Sequence, residues 1–520
     1  MLQHGLYAND DWRIRHNVTL NLGLRYEYAQ VPVGSQQQSL NSIASVPGLI
    51  EFKSPEPTRK DFAPRVGIAW SPGTTGNTSI RAGFGMGYDQ VYHNLGTNSL
   101  PPQFFATIDA HADRDPNLGG FLAGGGITGE ARPIATAAAA RALTASWVPT
   151  KQLRPYSIQW NFGVQRVFAS DYTLEVRYLG SRGVHLGLQS QINRRALVTP
   201  ERSLPVYMQR PSQAQLDSLP LTLAQLQAPG SILPEYLAAG FRAGITAFMP
   251  VGNSSYHGLA TQLNRRFSRD VLFQGAYTWS HAIDDSTATL NSTAISPRRP
   301  QDCQNLRPER SHSALDHRHR STFAWVYDTP WLRGHDNWFA KNLAGNWTVS
   351  GTYIAESGTW ATAQSQMDAN LNGDPAADRF IHNPGGDPKK GSDVTALTNS
   401  AGGTVAYLVN DPSARYIRAR PGAYADAGRN TWLLPGINNW NLTAVKKFNI
   451  TETKRIEFRG SFYNTFNHPQ FTPGYTDAID RRARTSSVNY LIPGNPAFQN
   501  AETAFQSNSR YGELSLRFEF

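Results

Sequence analysis

Tyr511-Gly-Glu-Leu-Ser-Leu-Arg-Phe-Glu-Phe520 puts Gly512, Leu514, Leu516, Phe518 and Phe520 on one side of a period-two pattern and Glu513, Ser515, Arg517 and Glu519 on the other. Residues that alternate in this way lie on opposite faces of a strand, so the segment predicts a strand with one oily face. The pattern runs to the last residue given, an aromatic, with no polar segment to cover the edge of a final strand. In a soluble sheet such an edge invites association. In a membrane barrel the oily face meets lipid and the edge is paired by closure.

The same alternation recurs through the chain. In Val18 to Tyr28, Val18, Leu20, Leu22, Leu24, Tyr26 and Tyr28 oppose Thr19, Asn21, Arg25 and Glu27. Ile80, Ala82, Phe84, Met86 and Tyr88 form another apolar row, as do Ile158, Trp160, Phe162 and Val164, then Val271, Phe273, Tyr277 and Trp279. Trp347, Val349 and Tyr353 repeat it, and so do Ile456, Phe458 and Phe462. The pattern gives about thirteen strands, each near the roughly nine to eleven residues that a tilted strand needs to cross a bilayer.

The connections alternate too. Tight turns are expected at Arg15-His16-Asn17, Ala169-Ser170-Asp171, Ser268-Arg269-Asp270 and Thr451-Glu452-Thr453. Long segments lie between the pairs, at Ala29 to Lys60, Gln90 to Arg154, Val184 to Ser255, Ile283 to Leu315, Ala361 to Asn438 and His468 to Gln506. A barrel with short periplasmic turns and long extracellular loops produces this alternation, and a sandwich has no reason to. Aromatics at strand ends (Tyr7, Trp12, Tyr26, Trp70, Tyr88, Trp279) suit girdles at the two head-group layers. The competing reading of the same rings is core packing of a soluble sheet. The expected fold is all-β, an antiparallel transmembrane β-barrel, with short helices within Ser212 to Ala239.

Composition agrees. The 520 residues hold 44 Gly, 33 Pro, 12 Trp, 21 Tyr and 24 Phe but 5 Met, a balance that favours strands and loops over helical bundles. The net charge of +10 is scattered, as at Arg132, Arg141, Arg154 and Arg166, and no nucleic-acid-binding signature accompanies it, so no nucleic-acid partner is expected. Basic residues interspersed in this way through an envelope protein are as easily explained by contact with anionic outer-membrane lipid head groups or polyanionic surface sugars. No apolar run approaches the roughly 18 residues of a membrane helix. A single cysteine, Cys303, excludes an internal disulfide.

Leu6-Tyr-Ala-Asn-Asp-Asp-Trp12 followed by Leu20-Asn-Leu-Gly-Leu-Arg-Tyr-Glu27 resembles barrel strands of TonB-dependent outer-membrane receptors. Phe62-Ala-Pro-Arg-Val-Gly-Ile-Ala-Trp70, Tyr277-Thr-Trp-Ser-His-Ala-Ile-Asp-Asp285, Asp316-His-Arg-His319 and Phe466-Asn-His-Pro-Gln-Phe471 resemble the Oar-like branch, which carries a carboxypeptidase-regulatory-like domain ahead of the plug. The resemblance implies a barrel of about 22 strands with a plugged lumen. Residues 1–520 would then be its C-terminal portion, and signal peptide, regulatory-like domain, plug and first strands would lie outside them. With an odd number of strands the first and last run the same way, so a curled open sheet or partial barrel is expected. The resemblance further implies a Gram-negative-type outer membrane, an extracellular solute of unknown identity, and TonB contact through the plug alone. Leu514, Leu516, Phe518 and Phe520 resemble the signal read by barrel-assembly machinery. An uncoupled adhesin or porin-like barrel is the alternative.

Few residues carry site chemistry. Asp368, Asn370, Asn372, Asp374 and Asp378, with Gly373 at the sharp turn, resemble the start of a calcium loop. The twelfth position is Arg379, not the bidentate Glu, and an Asx-rich surface turn explains the same residues. Calcium is therefore the candidate ion, and no cofactor is required. Asp316-His317-Arg318-His319 offers two histidines with no spaced third ligand, although His281, His312 and His335 are near in sequence. These residues are read as a polar ladder with Asp284, Asp285 and Arg320. Phe104, Phe105, Tyr207 and Tyr236 mark the loop regions expected to meet a ligand. No hydrolase elbow, zinc-protease or phosphate-binding motif is present, and Ser280 and His281, adjacent on a strand, face opposite ways, so no enzyme is expected.

Overall fold

The period-two rows become strands of one continuous meander. The computed structural model describes residues 2–90, 136–287, 297, 299–331, 337, 339–375, 378–451, 453–471, 490–505 and 507–520. Its main sheet runs through β1 (Gln3–Arg15), β2 (Val18–Ala29), β3 (Asp61–Trp70), β4 (Thr78–Tyr88), β5 (Tyr156–Phe168), β6 (Tyr172–Gln191) and β7 (Thr246–Ser268). It continues through β8 (Val271–Asp284), β9 (His319–Asp328), β10 (Trp347–Glu356), β11 (Ile437–Asn449), β12 (Arg455–Tyr463) and β13 (Tyr511–Glu519). Each strand pairs antiparallel with the next, and two short segments, Ser146–Trp147 and Ser311–His312, pair beside the path. Among the described residues β1 pairs only with β2 and β13 only with β12, the open ladder expected of this strand parity.

Register makes the two faces continuous. Leu22 pairs with Val66, Val66 with Phe84, Phe84 with Trp160, Phe162 with Tyr178, and Tyr178 with Leu259. The row goes on through Leu259 to Trp279, Phe323 to Tyr353, Tyr353 to Trp440, Leu442 to Phe462 and Phe458 to Leu516. The opposite face pairs Gly67 with Asn21, Gln165 with Glu175, Glu175 with Gln262, Thr352 with Asn441 and Glu457 with Arg517. A slip of one residue would interchange the faces, so the one-sided pattern itself fixes the register. Gly180 pairs with Trp160, whose indole fills the space a Cβ would need.

One end of the meander closes by turns as short as two residues, with a longer connection at 329–346 between β9 and β10. Arg269 and Asp270, the two residues between β7 and β8, have φ of 45° and 64°, the left-handed pair that a primed hairpin turn requires. At the other end, β6 and β7 rise well past the expected strand length. Their pairing continues to Gln191 and Thr246, with register shifts between Pro250, Gly252 and Ser254. The loop expected from Val184 to Ser255 is therefore residues 192–245. Glycines at 183, 187 and 252 and positive φ at His185 interrupt the alternation there, which hides the strands from a period-two reading.

Placing an arginine in the middle of the apolar band tests the assignment of faces. Val176→Arg should cost about 2–4 kcal/mol of bilayer-folded stability. Glu175→Gln, one residue away on the polar face, should cost less than about 1 kcal/mol. Denaturant titration of the vesicle-inserted protein, read by heat-modifiable gel migration, measures both; equal costs would contradict the assignment.

Candidate functional site

The long connections carry their own hydrophobic cores, and these cores interlock. Leu204 and Leu226 from loop 192–245 are buried against Val394, Tyr407 and Ile417 from loop 357–436. Phe52 from loop 30–60 and Ala140 from loop 89–155 pack with Phe241 and Ile245. Phe380 and Trp432 pack with Tyr490, Leu491 and Phe505 of loop 464–510. Backbone ladders join the same loops. Thr404–Val409 pairs with Val394–Thr398 and, in parallel, with Val206–Tyr207, while Glu56–Pro57 pairs with Lys151–Gln152. Three short helices, Gln213–Asp217, Leu223–Gln227 and Pro234–Ala238, stand where the sequence suggested them. Ser212 with Gln215 and Thr222 with Gln225 form capping boxes that satisfy the first backbone donors. Burying a Phe such as Phe52 or Phe241 contributes about 1.5–3 kcal/mol, so the loop layer is held by packing of its own.

Buried ion pairs fasten this layer to the strands. Arg429, 1% exposed, bonds the Asp284 carboxylate at the end of β8, and its Nε donates to the Glu309 carbonyl at 2.7 Å. Arg379 Nη2 donates to Glu309 Oε1 at 2.5 Å, closing a run of four buried charges. A second clamp sets Arg154 against Glu27 (3.1 Å) and Asp61 (3.0 Å), paired neighbours on β2 and β3. Ions withdrawn from water are tolerated only when mutually paired. Of the residues expected to join charged ladders with the histidines, Arg320 shares Glu356 (3.2 Å) with His317 (3.0 Å), whereas Asp284 belongs to the buried run and Asp285 meets Arg310 at 3.3 Å. Local sequence gave no signal for Arg429 or Glu309, which are 120 residues apart.

The Asp368 to Asp374 segment folds as a chain of Asx turns. Asn370 Oδ1 accepts from the Asn372 N–H (2.9 Å), Asn372 Oδ1 from Asp374 (2.7 Å), and Asp368 Oδ2 from Gly373 (2.8 Å). Gly373 has φ of 83°, and the Arg194 guanidinium occupies the space a Cβ would need. Arg299 holds the Asp374 carboxylate at 2.7 and 3.0 Å. Asp378 is fully buried, its Oδ2 taking the N–H groups of Ala369 (2.5 Å) and Asn370 (3.2 Å). The Oδ1 atoms of Asp378 and Asp368 are buried with no hydrogen-bond partner. Burial pushes the Asp378 carboxyl well above the usual range, the Asp368 charge adds to this, and the N–H bonds oppose it. Asp368 is raised for the same first reason.

The histidines sort differently from their sequence spacing. His317 Nδ1 meets Glu356 (3.0 Å) and the Ser357 carbonyl (2.9 Å), and His319 Nδ1 meets the Tyr277 hydroxyl (2.8 Å), so the two do not converge. His281 and His312 do, with Nε2 and Nδ1 at 3.0 Å, next to Asp316. Tyr236 is packed in the core with Phe241, which makes it part of the loop's own interior, and Tyr207 lies half-buried beside Leu216 and Leu397. Phe104 and Phe105 lie outside the described residues. Leu514, Leu516, Phe518 and Phe520 are all exposed, between 51% and 91%. Cys303 Sγ accepts the Gln191 N–H at 3.1 Å, and burial pushes its thiol up.

Beneath the layer, where β6, β7 and β8 enter it, lies a cavity of about 410 Å³. Its walls include Asp89, His185, Phe248, Tyr256, Asp284 and Thr287. Thr287 Oγ1 donates to Asp284 Oδ2 at 2.8 Å and accepts from the Ala314 N–H at 3.0 Å, tying the cavity wall to the same carboxylate that Arg429 holds. The space is mainly apolar with a few convergent polar groups, the make-up of a small-molecule site.

A family model described as an outer membrane beta barrel domain matches residues 1–504. No curated protein matches the chain. Among solved structures, the chain is similar to the outer membrane transporter YddB from Escherichia coli, at 10% identity and a TM-score of 0.43, over 100% of this chain and 45% of that one. It is similar to the siderophore receptor PiuA from Acinetobacter baumannii, at 11% and 0.40, over 100% and 43%. A mutant of the ferric enterobactin receptor PfeA from Pseudomonas aeruginosa gives 9% and 0.42, over 100% and 45%. The chain thus spans less than half the length of each of these structures.

Two outcomes follow from the buried charges. Arg429→Met leaves the Asp284 and Glu309 carboxylates buried with one cation fewer and should cost about 3–5 kcal/mol of loop-layer stability. Hydrogen exchange should show that loss near residues 307–316 and 426–434, with protection in the strands unchanged; unaltered loop protection would refute it. Asp378 favours its protonated form in the fold, so the stability it lends is present at low pH. That stability is lost as pH rises from about 3.9, the ordinary Asp value, through the raised value. In chelator, protection of residues 368–380 should fall over that range in the parent and stay level in Asp378→Asn, whose amide oxygen keeps the two N–H bonds. Parallel pH profiles would contradict this.

Proposed function

The chain belongs to the outer membrane β-barrel domain family and resides in the outer membrane, and we propose that it is the barrel portion of a receptor importing a solute captured by its extracellular loops. Energy coupling would come through TonB and a plug domain. The observation that carries this reading is the asymmetry of the two ends. One is closed by turns as short as Arg269–Asp270, and the other bears an interlocked loop layer over a cavity of about 410 Å³. A passive pore has no need of loops with cores of their own, whereas a receptor needs a shaped, stable outer surface. The Oar-like motifs at Phe62 to Trp70, Tyr277 to Asp285 and Phe466 to Phe471 support the same assignment.

Two parts of the chain take roles within this reading. The Oδ1 atoms of Asp368 and Asp378, buried without a hydrogen-bond partner, would lead the donors to calcium among Asp368, Asn370, Asn372, Asp374 and Asp378, with Asp374 held by Arg299. Added calcium should then restore at pH 8 the loop protection lost on deprotonation, and Asp378→Asn should abolish the response. Leu514, Leu516, Phe518 and Phe520, exposed on one face, would be recognised by the barrel-assembly machinery.

The gene and the cell supply the test. The reading requires that the frame upstream of Met1 encode a plug domain, and that uptake by the intact receptor stop when a protonophore collapses the proton gradient. A promoter and export signal directly upstream, with solute entry indifferent to the protonophore, would instead establish an uncoupled adhesin or porin-like barrel.

A further inference from the structure

His281 stands on β8 two residues beyond Trp279, on the apolar face, just above the aromatic row. Up to Trp279 the neighbouring strand is β9, which begins at His319. Beyond it the returning segment Ser311–His312 takes over the pairing, with Ile283 opposite His312. That change of partner is what brings His312 beside His281, 31 residues away in sequence. Asp316, four residues further on, completes the group. Its Oδ2 lies 3.9 Å from His312 Nδ1, and one ligand atom from each of the three residues falls within 4.8 Å of the others.

We propose that His281, His312 and Asp316 bind a first-row transition metal ion of the zinc type, with a fourth coordination position left to water. Two imidazole nitrogens and one carboxylate oxygen suit zinc, cobalt, nickel or copper rather than calcium or magnesium. Zinc–nitrogen bonds of about 2.0–2.1 Å at a tetrahedral centre set the nitrogens about 3.3 Å apart, so the 3.0 Å separation needs only a few tenths of an ångström of opening. The supporting contacts are in place. Asp316 is 1% exposed, with Oδ1 accepting the Ala282 N–H at 2.7 Å and Oδ2 accepting Trp360 Nε1–H at 3.1 Å. The Trp360 ring also stacks on His312, with centroids 4.1 Å apart and planes 9° from parallel. Trp360 therefore orients two of the three ligands, the outer-sphere arrangement that fixes metal ligands. Among the described residues, Arg318, 3.5 Å from Asp316, is the cation that competes with the ion. His257, opposite His281 on β7, is engaged with the Tyr178 hydroxyl at 2.7 Å and is not counted as a ligand. A bound ion would staple the wall at β8 to loop 285–318, which carries Glu309, and to Trp360 beyond β10.

The test uses the whole chain extracted from its membrane in mild detergent, stripped with chelator and titrated with Co²⁺, with Zn²⁺ as competitor. The expected result is one equivalent of cobalt with a visible absorption band that zinc displaces. His281→Gln and His312→Gln should each abolish the band, while His317→Gln and His319→Gln keep it. Trp360→Phe, which retains the stacked ring but loses the N–H, should weaken binding about tenfold to a hundredfold. Heat-modifiable migration confirms that each variant is folded. No stoichiometric band in the parent, or a band that survives in both His281→Gln and His312→Gln, would overturn the proposal.

Discussion

A strand that crosses lipid must have every backbone polar group paired and must show lipid a single kind of face, because hydrocarbon offers no hydrogen bonds in return. From β2 to β12 the structure satisfies both demands with one device, an unbroken register, while the outer edges of β1 and β13 have no partner among the described residues. In β1 to β13 the shifts at Arg13/Arg15 and Arg265/Ser268 fall at the turn end, and those around Gly252 fall at the loop end. Between those limits the apolar row passes from strand to strand without changing sides. The membership in an outer-membrane barrel family gives that row its solvent.

The loop layer obeys a different rule, being stabilised as a small water-exposed protein is. Apolar side chains from distant loops share cores, and charges such as Arg429, Glu309 and Asp284 are buried only in company. The two regimes meet at the ends of β2, β3 and β8, where Glu27, Asp61 and Asp284 each receive an arginine from a loop. One of those anchors, Asp284, also lines the cavity.

Much of the fold was legible because a strand's period is local: Val18 to Tyr28 shows its faces without reference to any other segment. The number of meander strands, most turns and the helices near Ser212 to Ala239 could be read for the same reason. The upper parts of β6 and β7 could not, since glycines and bulges broke the alternation while pairing continued. The candidate sites divide in the same way. Asp368 to Asp378 could be seen because its residues are consecutive, but the spacing left open that Arg299 already holds Asp374. The convergence of His281 with His312 depends on which segment pairs with the end of β8, and nothing local encodes it.

The central claim is that one face of the meander meets lipid along its whole width. Spin labels placed singly at positions 174 to 178 in a Cys303→Ser background, with the protein in bilayers, test it most directly. The account predicts high accessibility to dissolved oxygen at 174, 176 and 178 and to an aqueous nickel chelate at 175 and 177. Accessibility that does not alternate, or that is aqueous at all five positions, would contradict it.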